Sequence, residues 1–319
     1  MRVIVTGASG LIGTNLALHL LDQRHDVFGV DVQPNPWSDR VPIHIQDLRQ
    51  PHQGEAWGRA DAVVHLAARA KVHESVEHPA NALENYSITF GVLEYCRRTK
   101  TPVLFGSSRE AYGEQVSLPV SEDAARIEGA ASPYAAAKVG EEALIRAYGR
   151  CYDVPHAIIR YSNVYGRFDN YERLERVLPI FFDRMRRGES IQIFGPEKEY
   201  DFTYIDDAVD GTAAAVEALA RNTTSISGHT INLGTGQGTT LLAAAQLAAQ
   251  AVGVEPKIEL QDMRVGEISR YVADISKARA LLNYVPRWPP TRGIPEFYKW
   301  WREFYGGDGE GSQGVRGMR

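Results

Sequence analysis

From residue 2 to about residue 160, short aliphatic and β-branched runs alternate with longer stretches whose apolar positions recur every three or four residues. The runs "RVIVT", "DVFGVD", "PIHIQD", "AVVHLA", "PVLFGS" and "HAIIRYS" predict strands. Between them, "LIGTNLALHLLDQR", "NALENYSITFGVLEYCRR" and "SPYAAAKVGEEALIRAYGRCY" predict amphipathic helices. Strands joined through crossover helices pair in parallel, and strands that are apolar almost throughout need cover on both faces. The predicted fold class is therefore α/β, a doubly wound parallel (Rossmann) sheet.

Beyond about residue 166 the alternation loosens into polar loops ("GRFDNYERLE", "FGPEKEYDFTY") between predicted helices at 174–187, 206–221, 239–252 and 291–304. The pattern predicts a larger α/β domain over 1–166, to which later segments return, and a smaller C-terminal lobe over 167–305; the glycine-rich turn after the first strand makes the first the candidate nucleotide-binding domain and leaves the second mainly for a substrate. The stretch 306–319 is Gly-rich and lacks apolar periodicity, so a disordered tail is expected. In open α/β sheets a ligand lies in the crevice outside the carboxyl ends of the strands, where such a lobe would close.

Composition changes this picture little. The chain has 319 residues, 44% of them hydrophobic, and a formal charge of -5, which gives no global attraction to nucleic acid or anionic lipid. Cys96 and Cys151 are isolated, so neither a disulfide framework nor a thiolate metal site is expected. The opening "MRVIVTG" lacks the basic head and apolar stretch of a signal peptide, and no window is apolar for long enough to span a bilayer. A cytoplasmic protein without membrane, nucleic-acid or metal partners is expected.

Three motifs carry chemistry. "VTGASGLIG" sets Gly7, Gly10 and Gly13 between the first strand and the first helix, where they can turn the chain, admit a pyrophosphate against the backbone and let helix and strand approach closely. Asp31 ends the second strand and is followed by Val32 and Gln33. A carboxylate there accepts from ribose hydroxyls and repels a 2′-phosphate, which favours NAD over NADP; the alternative is a strand-end cap. "SPYAAAK" puts Tyr134 and Lys138 on one helical face, where an ammonium can favour the phenolate. "SSREAYGE" offers Ser108, Arg109 and Glu110 directly after the fifth strand.

With these motifs together, the sequence resembles the extended short-chain dehydrogenase/reductase family, the nucleotide-sugar epimerases and dehydratases. The resemblance covers roughly residues 1 to 305 and extends through Asp47-Leu48, "HLAA" at 65–68 with Val72 and Ser75, Asn85, "RYSNVYG" at 160–166, "DFTYIDDAVDG" at 201–211, "INLGTG" at 231–236 and "RVGE" at 264–267. It implies that Gly7, Gly10, Leu11, Ile12 and Gly13 hold the NAD pyrophosphate. Asp31 would take the ribose, Asp47 and Leu48 the adenine, Leu66, Ala67, Ala68 and Arg69 the inner half of the nucleotide, and Asn85 would sit beside the cofactor. Tyr134 would be the base, Lys138 would bind the nicotinamide ribose and lower the Tyr134 pKa, and Ser108 would bind the reacting hydroxyl. Asn163, Gln192, Ile193, Phe194, Arg264, Glu267 and Tyr271 would contact the nucleotide sugar. The helices at 80–98 and 133–150 match those through which family members dimerise, so a homodimer is expected.

The sequence departs from the family pattern at three places. Tyr200 stands where an arginine usually meets the substrate diphosphate, so that another cation (Lys198, Arg167, Arg173 or Arg176) would substitute, or the phosphate end of the substrate differs. Ser162 replaces the phenylalanine common in epimerases. Arg109 and Glu110 take the two positions that are Asp and Glu in 4,6-dehydratases, where the aspartate protonates the leaving 6-hydroxyl; arginine keeps its proton and cannot do so. Glu110 could abstract a carbon-5 proton, or serve as a turn carboxylate. The expected function is NAD-dependent 4-epimerisation of a nucleotide sugar of the UDP-hexose type through a 4-keto intermediate. The alternatives are a dehydratase or decarboxylase that uses Glu110, with or without Arg109, after the same oxidation, and a non-catalytic NAD-binding protein.

Overall fold

The computed structural model describes residues 1–50, 55–115, 117–169, 176–221, 223–263 and 268–305. The six expected strands form as β1 (Arg2–Thr6), β2 (Asp26–Asp31), β3 (Ile43–Ile45), β4 (Ala62–His65), β5 (Val103–Ser108) and β6 (His156–Tyr161). A seventh, Thr230–Leu233, comes from the C-terminal half and pairs with β6 in parallel. The sheet order is Thr230–Leu233, β6, β5, β4, β1, β2, β3, and every pairing is parallel. The chain turns back on its own order between β1 and β4, and at that switch point the strand ends diverge and leave a crevice.

Apolar side chains of alternate parity explain why the strands read as continuous hydrophobic runs. Val3 and Val5 of β1 enter one core with Leu16 and Leu20 of α1 (Leu11–Asp22). Ile4 points to the opposite core, with Val92 and Tyr95 of α3 (Ala80–Thr99) and Ile145 of α4 (Pro133–Tyr152). A short helix, α2 (Val72–Glu77), not expected from the pattern, precedes α3. It has only six residues, too few for a periodic apolar stripe to stand out.

The expected helices beyond residue 166 form as Val177–Arg186, Ile205–Arg221, Leu241–Val252 and Pro290–Tyr305. Ile205–Arg221 packs beside α1 and beneath β4, β5 and β6, against the large sheet. The expected loop "FGPEKEYDFTY" instead contains two strands, Glu199–Tyr200 and Phe202–Tyr204. The first pairs with Thr239–Thr240 and Arg270–Tyr271, the second with Asn163–Tyr165. These pairings are non-local and too short for periodicity to register. Fully buried Asp201 lies between them. It accepts from the Thr235 N–H and hydroxyl at 2.7 Å each, the Gly236 N–H at 2.9 Å and the Ala273 N–H at 3.2 Å. One carboxylate thus ties two returning segments, at 235–236 and at 273, to its own segment. The tail 306–319 lies outside the described residues.

Candidate active site

One cavity of about 940 Å³ opens along the carboxyl ends of the strands and reaches from the glycine loop to Ser108, Tyr134 and Lys138. Its first wall needs glycine. Gly7 has φ +71, and a Cβ there would come within 2.7 Å of the Ala67 nitrogen; one on Gly13 would lie 2.1 Å from the Gly7 carbonyl oxygen. The Gly7 N–H donates to the Val30 carbonyl at 2.8 Å and the Gly10 N–H to that of Gly7 at 3.1 Å, which closes the turn. Gly10 then caps α1 without any side-chain hydrogen bond. The first-turn amides of Leu11, Ile12 and Gly13 therefore face the cavity as an anion cradle. A dinucleotide pyrophosphate fits such a donor set.

Asp31 lines the cavity and also accepts from the Ser9 N–H at 3.0 Å and the Gln33 N–H at 3.3 Å. The strand-end cap is thus formed, and the same carboxylate faces the cavity. Asp47 and Leu48 line the same end, Leu48 buried and Asp47 joined to Arg49 at 2.6 Å. Arg49 also reaches Glu84 at 3.0 Å, and Arg69 meets Glu84 at 2.9 Å. Arg49 and Glu84 were not expected here. Leu66, Ala67, Ala68 and Arg69 line the cavity. Asn85 does not; buried on α3, it accepts the Arg69 N–H at 2.6 Å and donates to the Arg69 carbonyl at 3.1 Å, so it clamps the loop from behind.

Tyr134 and Lys138 are positioned by the start of α4. The Ser132 hydroxyl accepts from the Ala135 N–H at 3.1 Å and Pro133 occupies the first turn, which fixes the helix start and sets Tyr134 and Lys138 one turn apart. The Tyr134 N–H donates to the Ser75 hydroxyl at 3.2 Å. Lys138 Nζ donates to the Gly106 carbonyl at 3.2 Å and lies 3.2 Å from Glu141 Oε2. Burial pushes the Tyr134 phenol above its ordinary range; Lys138 pulls it down, Glu141 and Glu110 push it up, and a hydrogen bond from Ser108 pulls it down. Behind this group, burial and then Lys138 push His65 down to about 3, which keeps its ring neutral.

Ser108 ends β5 and caps a single 3-10 turn, Arg109–Tyr112; its hydroxyl accepts from the Glu110 N–H at 3.2 Å. Arg109 and Glu110 form an ion pair at 2.9 Å, both largely buried and both facing the cavity. Asn163, also at the cavity, accepts from Arg109 Nε at 2.5 Å. The guanidinium carbon of Arg109 sits 4.4 Å from the centroid of the Tyr200 ring, while the Tyr200 hydroxyl donates away to the Ile268 carbonyl at 2.6 Å. Ser162 lines the cavity and shares a hydrogen bond with Thr203.

The remaining expected contacts divide. Gln192, Ile193 and Phe194 form a strand that pairs with Ile258–Gln261 and do not line the cavity. Tyr271, fully buried, stacks on Tyr112 with centroids 5.6 Å apart, also off the cavity. Arg264, Glu267 and Arg173 lie outside the described residues. Of the cations considered near Tyr200, Arg176 lines the cavity. Arg167 instead pairs with Asp206 at 2.5 Å in a second cavity, and Lys198 is buried elsewhere. No group of three or more His, Cys, Asp or Glu side chains suited to a metal occurs among the described residues, and no helix among them is long and apolar enough to cross a membrane.

A family model described as the NAD dependent epimerase/dehydratase family matches residues 3–234. UDP-N-acetyl-alpha-D-glucosaminuronate decarboxylase of Bacillus cytotoxicus is 29% identical over 327 residues, covering 95% of this chain and 98% of that protein. Among solved structures, UDP-glucuronic acid 4-epimerase from Bacillus cereus, in complex with UDP-glucuronic acid and NAD, superposes with a TM-score of 0.86 at 29% identity, covering 96% of this chain and 100% of that one. UDP-glucose 4-epimerase from Thermotoga maritima, with UDP-glucose, superposes with a TM-score of 0.86 at 28% identity, covering 95% and 99%.

Proposed function

The chain belongs to the NAD-dependent epimerase/dehydratase family, and from that premise we propose that it interconverts the 4-epimers of a nucleotide sugar of the UDP-hexose type. The observation that supports this most strongly is the continuity of one cavity from the Gly7–Gly13 cradle to Ser108, Tyr134 and Lys138. The cradle would hold NAD by its pyrophosphate and Asp31 by its ribose, and the cofactor would supply a reversible hydride acceptor, so that no net oxidation results. Asp47, Leu48 and the 66–69 loop enclose the rest of the dinucleotide.

Within this reading the chain's own groups move one proton. Tyr134 as phenolate takes the proton of the sugar 4-hydroxyl while Ser108 holds that oxygen, and Lys138 stabilises the phenolate charge. The 4-keto sugar turns within the site, and Tyr134 gives the proton back to the oxygen on the other face. Asn163 and Ser162 contact the sugar nucleotide. The segments of 167–305 that cover the strand ends supply most of the remaining substrate contacts.

A second reading has one specific support, the position of Glu110. That residue lines the same cavity as Tyr134, and a decarboxylase is among the relatives. Proton NMR of the product formed in D2O from UDP-glucose, UDP-glucuronate and their N-acetylated counterparts separates the two. A 4-epimer without ring deuterium establishes the epimerase; a deoxy, unsaturated or decarboxylated product overturns it in favour of a lyase.

The protein works as a cytoplasmic homodimer in this proposal. Leu83, Tyr86 and Phe90 are 74%, 41% and 48% exposed and fall on one face of α3 beside α4. A second copy of the same helix pair would cover this stripe. A monomeric mass by light scattering at micromolar concentration would reject the dimer.

A further inference from the structure

On the reading that seats NAD along Gly7–Gly13, we infer that Trp37 and Phe168 are cofactor-retaining residues, an aromatic clasp that closes the crevice beside the glycine cradle and sets the rate at which NAD leaves.

Both rings line the main cavity, and their centroids lie 5.7 Å apart. They arrive from opposite halves of the sheet. Trp37 follows β2, and Phe168 follows the strand Asn163–Tyr165 just beyond β6; β5, β4 and β1 stand between β6 and β2. Segments that leave the carboxyl ends of such distant strands meet only by crossing the crevice. Each side is also pinned to the start of α1. Asn35 Nδ2 donates to the Ala8 carbonyl and the Thr14 hydroxyl at 3.0 Å each, and Asn35 Oδ1 accepts the Trp37 N–H at 2.9 Å. On the other side, Asn15 Nδ2 donates to the Arg167 carbonyl at 3.0 Å. The two rings are thereby held beside the helix start whose amides form the cradle.

The contact is braced from outside the cavity. Trp300 lies 5.7 Å from Trp37 and 5.8 Å from Phe168, and Phe304 lies 5.2 Å from Trp37, all between ring centroids. Neither Trp300 nor Phe304 lines the cavity, so the C-terminal helix Pro290–Tyr305 backs the clasp without reaching the ligand. Phe168 has φ +67, a backbone conformation disfavoured for a residue with a Cβ, so the ring contacts hold it in place. A cofactor that takes and returns hydride within one turnover serves only while it stays bound. A clasp across the mouth of its cradle slows its escape without touching the reacting sugar.

The test is release of radiolabelled NAD from the loaded protein, chased with excess unlabelled NAD, in wild type, F168G and W300L. F168G removes the ring and relieves the backbone, because glycine accepts positive φ. W300L weakens the brace from outside the cavity and decides the matter if F168G does not fold. Loss of one aromatic pair is expected to speed release about 3–10-fold, with association unchanged or faster. Release at the wild-type rate overturns the inference, and a lowered unfolding temperature without NAD would then assign the rings to packing alone. Weaker binding that arises wholly from slower association also overturns it, because the ring then shapes the pocket rather than closing it. D31A separates failure of the clasp from failure of the cofactor placement. Unchanged release in F168G with weakened NAD binding in D31A refutes only the clasp; unchanged binding in both refutes the placement.

Discussion

Lys138 and Glu141 stand 3.2 Å apart, ammonium to carboxylate, with both side chains out of solvent. Glu141 also accepts the Thr89 hydroxyl. The Thr89 oxygen meets His65 Nε2 at 3.0 Å, and His65 Nδ1 meets the Thr6 hydroxyl at 2.7 Å. A buried chain of polar groups thus runs from the end of β1 to the proposed catalytic ammonium. The charge that favours the Tyr134 phenolate is shared with a carboxylate that opposes it.

This arrangement predicts a pH effect with a definite sign. Burial, Glu141 and Glu110 raise the Tyr134 phenol, so its base form is reached only at higher pH. E141Q keeps the shape and the hydrogen-bond acceptor but removes one of the charges that raise it. The rising limb of kcat/KM against pH should then move to lower pH in E141Q. A profile superimposable on that of wild type would show that Glu141 is structural packing alone.

Y134F should lower kcat by about 10²–10⁴-fold, the usual worth of a positioned acid–base group. The Tyr134 backbone N–H, not its phenol, holds Ser75, so far-UV circular dichroism and thermal unfolding should remain close to wild type. Near wild-type turnover in Y134F would remove this residue as the base.

The places of the glycine loop, Asp31 and Ser108 at strand ends, and of Tyr134 and Lys138 in the first turns of a helix, were legible in the sequence because strongly periodic elements adjoin them. The six strands to residue 161 were legible for the same reason. Glu141 was available to the same spacing rule that paired Tyr134 with Lys138, since three residues along a helix also makes neighbours. Two adjacent glutamates gave no hint that both are buried, Glu141 against Lys138 and Glu142 against Arg160. Tyr200 was noted as a missing cation, but that Arg109 lies on its ring depends on a tertiary contact across 91 positions of chain, which no local pattern encodes. The strand Thr230–Leu233 joins the sheet at an edge far from its sequence neighbours, and its four residues are too few for periodicity to reveal. Asn85, expected beside the cofactor, is buried behind the cavity wall with both its amide atoms bonded to the Arg69 backbone, a non-local contact that no spacing rule reveals.

D31A should act twice. It removes the ribose acceptor proposed for NAD and also the acceptor of the Ser9 and Gln33 amides. NAD affinity should fall by about 10–100-fold and discrimination against NADP should weaken, with a stability loss of about 1–3 kcal/mol from the unmatched amides. Fluorescence titration with both dinucleotides and thermal unfolding without nucleotide read these separately. Unchanged NAD affinity alongside lowered stability would leave Asp31 as a strand-end cap.

Glu142, the next residue along α4, ties the sheet to the helix through a buried ion pair. Arg160 Nε and Nη2 meet its two oxygens at 2.8 and 2.7 Å, and the Ser107 hydroxyl donates to it at 2.6 Å. Burial pushes the Glu142 carboxyl up, but Arg160, Ser107 and Arg146 outweigh it and leave the group below the ordinary carboxylate range. A carboxyl depressed on folding contributes stability that is present above its unfolded pKa and is lost as pH falls through its folded pKa. R160M, which strands the carboxylate in the core, should cost about 3–5 kcal/mol at neutral pH. Because protonation relieves that stranded charge, the R160M penalty relative to wild type should shrink on acidification. Urea unfolding of the two proteins from neutral pH down through the carboxylate range checks both statements. A penalty that stays constant with pH would mean that the Arg160 side chain acts through packing on Tyr112, whose ring centroid lies 4.7 Å from its guanidinium carbon, rather than through Glu142.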